Sequence, residues 1–143
     1  MRINGFWSVC DDGVVRPVIR GEIQAADGSW VVAEFLVDTA ADRTVTCAAV
    51  LAKLGLSPLA APQLGGVGGS TATVQIDTSL RMKEISGAKV VFRGRFAAFT
   101  DLVALDMSVL GRDISNLFAV IADRPGDTVC LLSAPHVYTI SPP

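Results

Sequence analysis

Phe35-Leu36-Val37-Asp38-Thr39-Ala40-Ala41-Asp42 sets an apolar run directly against a carboxylate, a hydroxyl and two small residues. A carboxylate at the end of a buried strand is costly unless its charge is hydrogen-bonded or shared. Small residues beside it let the backbone turn tightly and let a second chain come close. That combination suits acid/base chemistry on a bound chain. It suits equally a plain strand end, where Asp commonly opens a turn. Two further clusters follow. Leu64-Gly65-Gly66-Val67-Gly68-Gly69 brackets one β-branched residue with glycine pairs and reads either as a hairpin tip or as a loose loop. Its spacing is not that of a dinucleotide-binding phosphate loop, and no strand-loop-helix unit surrounds it. Val109-Leu110-Gly111-Arg112-Asp113 places two apolar residues and a glycine before a helix start.

Other reactive residue types are sparse. The cysteines, Cys10, Cys47 and Cys130, are odd in number and far apart, and His136 is the single histidine. They supply no metal-ligand set of the usual spacing, so no metal is expected, and all three thiols are expected to be buried and free. Serine or cysteine catalysis needs a base beside its nucleophile, and no such trio surrounds His136 or Cys47. Trp7 and Trp30 read as packing residues.

The elements that must position these residues are mostly strands. Val14 to Gln24 is β-like and breaks at Ala26-Asp27-Gly28-Ser29, where Asp-Gly signals a hairpin into a second strand, Trp30 to Val37. Thr46 to Leu56 changes period: Val50, Leu51 and Leu54 share one helical face, with Thr46 placed to cap its start and Gly55 its end. Thr71 to Met82 and Lys89 to Phe99 read as strands joined near Ser86-Gly87. Asp113 is placed to cap a short helix through Leu117. Phe118 to Ala122 and Thr128 to Leu132 flank a turn at Arg124-Pro125-Gly126-Asp127. Many short strands with one or two short helices predict an all-β, closed or sandwiched domain.

Size and charge narrow the classes. The chain has 143 residues, 50% hydrophobic and 18% charged, with a net charge of -2. One domain over 1–143 is expected, with its core at about 14–117 and a C-terminal hairpin and tail over 118–143. The apolar content excludes disorder. The absence of a basic surplus argues against nucleic acid, and no apolar run reaches the roughly 18 residues of a membrane span. The opening MRINGFWSVC lacks a secretion-signal pattern, so a cytoplasmic location is expected.

The three clusters, in this order, resemble the retropepsins, the retrovirus-type aspartic proteases. Asp38-Thr39-Ala40 is similar to the family's Asp-Thr/Ser-Gly/Ala signature, with Ala40 at a position where glycine is commoner. Asp42 matches the acid four residues after the catalytic one. Leu64 to Gly69 is similar to the flap tip, and Leu110-Gly111-Arg112 to the segment that threads under the active-site loop. Arg16-Pro17-Val18 resembles a stretch before the catalytic strand. The likeness runs from Val14 to Leu117. It implies a retropepsin-like closed barrel with one lobe per chain, and an aspartic endopeptidase needing no cofactor. The helical Thr46–Leu56 segment is closer to cellular and bacterial relatives. In the family the chain ends often build the dimer sheet, and the added C-terminal hairpin leaves open which strand does so here.

The resemblance also implies roles. Asp38, with Thr39 and Ala40, forms the catalytic signature. Thr39 interlocks across a dimer axis. Asp42 and Arg112 form a supporting ion pair, which Arg16 of a partner subunit joins, and Gly111 and Asp113 support the site from the same segment. Ala41, Asp42 and the backbone of Gly65 and Gly66 bind an extended peptide as an added strand, with Val67 covering it. Phe35 and Leu110 are core. Water attack on a peptide bond uses one ionised and one protonated carboxyl. Pepsin-like enzymes hold both in one two-lobed chain, and this chain is too short for that. Asp77-Thr78-Ser79 and Asp127-Thr128-Val129 read as structural. The second carboxyl therefore comes from another copy in a symmetric homodimer with a peptide or protein substrate. The alternative is a catalytically inactive module of the same fold that binds peptides or mediates dimerisation.

Overall fold

Alternation of apolar and polar residues builds most of this molecule. A computed structural model describes residues 1–60, 64–66, 69–137 and 139. The strands are β1 (Arg2–Asn4), β2 (Phe6–Val9), β3 (Val15–Gln24), β4 (Trp30–Val37), β5 (Val45–Thr46), β6 (Leu59–Ala60), β7 (Leu64–Gly66), β8 (Gly69–Thr71), β9 (Thr73–Lys83), β10 (Lys89–Phe99), β11 (Ser108–Leu110), β12 (Ala119–Asp123) and β13 (Thr128–Leu132). Two short helices, α1 (Ala48–Leu54) and α2 (Arg112–Ser115), complete it. In β4, Ala33, Phe35 and Val37 are buried while Val32 is exposed and Glu34 and Leu36 are half-buried, the period-2 signature of a strand with one face on a core.

The main sheet runs β2-β3-β4-β11-β5-β10-β9-β6, and an extra pairing of β3 with β9 closes six of these strands into a barrel. Its interior is filled by Ile19, Ile23, Phe35, Ile76, Leu80, Met82 and Leu110, all essentially inaccessible. Strand β11 lies parallel to β4, pairing Leu110 with Val37, so the Leu110-Gly111 segment runs beside the strand that delivers Asp38. The expected all-β barrel with one lobe is the architecture observed.

A three-stranded sheet, β1-β13-β12, packs on the barrel. The β12–β13 hairpin forms around the expected turn and pairs residue for residue from Ala119↔Leu132 to Asp123↔Thr128. Strand β1 pairs with β13 of its own chain, so the first and last of the described strands meet within one protomer.

Two expected caps are corrected. Thr46 does not start α1. It belongs to β5, paired with Ala98, and is buried. The helix begins after Cys47, whose N–H donates to the buried Ser108 Oγ at 3.0 Å. Gly55 does end α1, at φ +61, a conformation that side chains with a Cβ resist. Asp113 does not cap α2. Gly111 holds that position, and the Asp113 side chain points back to Thr44. All three cysteines are buried and free, as expected.

Candidate active site

Asp38 sits where β4 leaves the barrel. The buried Val37 precedes it, Asp38 itself is half-buried, and Thr39 and Ala40 are exposed. Its main chain is tied to the core, since its N–H donates to the Leu110 carbonyl at 3.2 Å. Its Oδ1 accepts the Ala40 N–H at 2.8 Å, and its carbonyl accepts the Ala41 N–H at 3.3 Å. The chain thus makes a tight turn straight after the carboxylate, which leaves Oδ2 free of any hydrogen bond among the described residues.

The loop from Ala41 to Thr44 is laced to the Gly111–Asp113 segment by hydrogen bonds in both directions. Arg112 N–H donates to the Ala41 carbonyl at 2.8 Å and Asp113 N–H to the Asp42 carbonyl at 3.3 Å. In the other direction, Thr44 N–H donates to Asp113 Oδ1 at 2.9 Å, and Thr44 Oγ1–H donates to the same carboxylate oxygen at 2.6 Å. Gly111 N–H then donates to Thr44 Oγ1 at 3.1 Å. Gly111 lies so close to the loop that a Cβ there would collide with the backbone of Arg43 and Thr44. Only glycine allows the two segments to cross at this spacing.

Arg112 and Asp42 form an ion pair on the outside of this crossing. The Arg112 hydrogen bond and charge hold the Asp42 carboxyl below the ordinary carboxylate range, and the same contact raises Arg112. Both side chains are at least half exposed, so the pair orders the loop surface more than it stabilises the fold. Arg16, which the resemblance sets against a partner subunit, contacts Asp12 within its own chain. Its guanidinium forks onto Asp12, at 2.8 Å to Oδ1 and 2.5 Å to Oδ2. That fork pulls Asp12 down to about 2.

Gly65 and Gly66 lie in β7, which pairs antiparallel with β8 through Leu64↔Thr71, Gly65↔Ser70 and Gly66↔Gly69. Val67 lies outside the described residues. Ala41 has its N–H and carbonyl engaged within the loop, the carbonyl keeping one lone pair for a further donor. Phe35 and Leu110 are wholly buried. Asp77 sits mid-strand in β9 opposite Arg95, and Asp127 in the β12–β13 turn, neither beside Asp38 in the sheet order. Among the described residues no group of three or more His, Cys, Asp or Glu gathers as a metal site. No helix among them is long and apolar enough to cross a membrane.

Two residues that sequence reasoning missed are Thr44 and Ser108. Both are buried hydroxyls that satisfy main-chain N–H groups, Gly111 and Cys47 respectively. Nothing in their local spacing marks them. Only the chain crossing gives them partners.

No family model matches the chain, and no curated protein sequence matches it. Solved structures do. The chain is similar to the EIAV protease complexed with the inhibitor HBY-793, at 26% identity over 71% of this chain and 86% of that one, with a TM-score of 0.52. It is also similar to a retropepsin-like aspartic protease from Rickettsia conorii, at 20% identity over 92% of this chain and 88% of that one, with a TM-score of 0.53. The chain has the single-lobe retropepsin-like fold, and these likenesses support a retropepsin-like family and, at the level of the fold, a peptidase.

Proposed function

We propose that this retropepsin-like chain is an aspartic endopeptidase whose active site is shared by two copies. The observation that carries the reading is Asp38 itself: a half-buried carboxylate at a strand end, one oxygen oriented by the Ala40 N–H, on a loop fastened to the core through Leu110 and Gly111. A carboxylate so held is positioned before substrate arrives, which is what acid/base catalysis requires.

The chemistry needs two such groups. Two carboxyls about 3 Å apart share one proton, because both cannot ionise at that separation. The ionised Asp38 accepts a proton from water as that water attacks the peptide carbonyl carbon. The protonated Asp38 of the second copy donates to the carbonyl oxygen, giving a tetrahedral diol. Its collapse breaks the C–N bond as a carboxyl passes a proton to the leaving amine. The substrate lies extended beneath the β7–β8 hairpin, bonded through the backbone of Gly65, Gly66, Ala41 and Asp42. Thr39 ties the two loops together across the two-fold axis, and Gly111, Arg112 and Asp113 hold each loop from below.

The test is cleavage of a peptide library at mildly acidic pH by the parent and by Asp38→Asn in parallel. The parent should cut within chains rather than from their ends. Asp38→Asn should lose at least about a thousandfold in rate, the scale of a lost catalytic group. If Asp38→Asn cuts as fast as the parent, the assignment is wrong. If the parent binds peptides without cutting them, the chain is the inactive binding module instead.

A further inference from the structure

The barrel gathers positive charge on one part of its outer surface. On β9, Ile76, Leu80 and Met82 fill the interior, so Asp77, Arg81 and Lys83 project outward. Their partners across the ladder project with them: Arg95, Val91 and Lys89 of β10, with Arg93 between, opposite Ser79. Strand β3 adds Arg20 and Glu22 to this face, and β4 adds Glu34. Six cations against three acids give the face a charge of +3, which leaves −5 for the rest of a chain whose net charge is -2.

Part of that charge has no internal partner. Arg20 bonds Glu34 at 2.9 Å. Glu22 takes Arg81 Nε at 2.6 Å and Lys89 Nζ at 3.5 Å, and the Arg81 guanidinium lies 3.9 Å from the Trp30 ring centre. Lys83, Arg93 and Arg95 are exposed and make no ion pair among the described residues. Lys83 and Lys89 also stand directly opposite each other in the ladder, where like charges cost stability. A bound anion relieves that cost.

The register sets this face beside the candidate site. Ala97 pairs with Val45, Val45 with Val109, and Val109 with Leu36. Along that path β10 runs opposite to β4, so Arg95 lies level with Asp38, three strands across, which is about 14 Å in a flat sheet. An extended chain leaving Asp38 covers that distance in about five residues. Arg93 and Lys89 continue the track along the same strand.

We propose that the outer face of β9 and β10 is a second contact for the substrate, taking an acidic stretch of polypeptide that lies outside the segment held at Asp38. The inference rests on the endopeptidase reading above and names its substrate class: proteins with a run of Asp or Glu about five residues or more from the bond that is cut. Arg93, Arg95 and Lys83 offer charge-assisted hydrogen bonds to those carboxylates and steer them inward. A lipid surface fits less well. Among the outward residues of these strands only Val32 and Val91 are exposed and apolar, and Trp30 lies against Arg81 instead of projecting. A nucleic acid is charged along its whole length and meets the −5 of the remaining surface, which a short acidic stretch avoids.

The probe is a peptide that the parent cuts in the library, extended through a spacer of about five residues by about eight glutamates or, as control, by as many glutamines. Cleavage is followed for the full-length parent, for Arg93→Glu with Arg95→Glu, and for the neutral pair Arg93→Gln with Arg95→Gln, each checked by circular dichroism. In the parent the glutamate tract should lower KM about fivefold against the glutamine tract and leave kcat alone, because several exposed pairs each add a little binding. Salt at about 0.5 M should erase the difference. The reversed variant should lose the preference and the neutral one most of it, while both cut the glutamine peptide as the parent does. Should the reversed variant unfold, the neutral one decides. Fluorescence anisotropy of the labelled peptides on Asp38→Asn reads the face without turnover and should rank the glutamate tract first. Equal KM or equal affinity for the two tracts, or a preference undiminished in the folded neutral variant, overturns the inference. So does tighter binding of phosphatidylserine vesicles or of oligouridylate than of the glutamate peptide. Failure here leaves the Asp38→Asn comparison on unextended peptides intact. An Asp38→Asn chain that cuts normally removes the catalytic reading, while anisotropy still reports on the face.

Discussion

The Thr44 hydroxyl donates to Asp113 and accepts from Gly111 N–H, so one oxygen closes the crossing that carries Asp38. Thr44→Val keeps the shape and removes that oxygen. The Gly111 N–H is then buried without a partner, and the fold should lose about 1–3 kcal/mol by denaturant titration. Gly111→Ala attacks the same crossing from the other side. Its Cβ meets the backbone of Arg43 and Thr44, which cannot step aside as a side-chain end could. A cost of roughly 1–3 kcal/mol is expected from the overlap. A larger loss of cleavage should follow, roughly tenfold or more, because the loop that positions Asp38 shifts. Equal stability of Gly111→Ala and the parent would show that the loop can yield. Asp38 and Gly111 are legible in the sequence, because an acid after an apolar strand and a glycine before a helix are local signals. Thr44 is not. Its partners lie 67 and 69 residues away, and a buried threonine looks like any strand residue until the chain returns.

At the level of elements, period-2 patterning located β3, β4, β9, β10 and the β12–β13 hairpin to within a few residues, since each buries one face. It failed where tertiary partners override propensity. Thr46 is a good helix cap by type, but β10 and β11 both pair with β5 and pull it into a strand. Asp113 is likewise a good cap, but Thr44 offers it two donors. The Asp42–Arg112 pair carries the prediction at this scale. Its hydrogen bond sets the folded Asp42 carboxyl below its ordinary 3.8. A depressed carboxyl contributes above the ordinary value and loses that contribution as pH falls through the lowered one. The brace between loop and helix should therefore persist at the mildly acidic pH where a shared-proton dyad works. A carboxyl-detected NMR titration should find Asp42 low in the parent and back near its ordinary value in Arg112→Met. An unmoved Asp42 would mean that the pair does not form in solution. Further inside, Phe35 is fully buried beneath the site, and Phe35→Ala should cost about 3–5 kcal/mol through the cavity it leaves.

For the whole molecule, the barrel and the added sheet divide the work. The closed six-strand ring holds the Asp38 loop, while the β1-β13-β12 sheet packs on it with its ends already satisfied on one side. A chain of 143 residues offers one signature aspartate, so activity should belong to pairs of chains and not to single ones. Mixing makes that quantitative. If Asp38→Asn folds and dimerises normally, adding an equal amount to the parent and allowing exchange distributes parent chains at random. One dimer in four is then all parent while the number of dimers doubles, so cleavage should fall to roughly half its starting rate. A ninefold excess should lower it about tenfold by the same statistics. A lobe that worked alone would be indifferent to the added variant at any ratio. The rate per parent chain, followed against added Asp38→Asn, separates a shared site from two independent ones without any knowledge of the natural substrate. A flat line would place the second proton-handling group within the same chain, where neither Asp77 in mid-strand nor Asp127 in its turn lies beside Asp38 in the sheet.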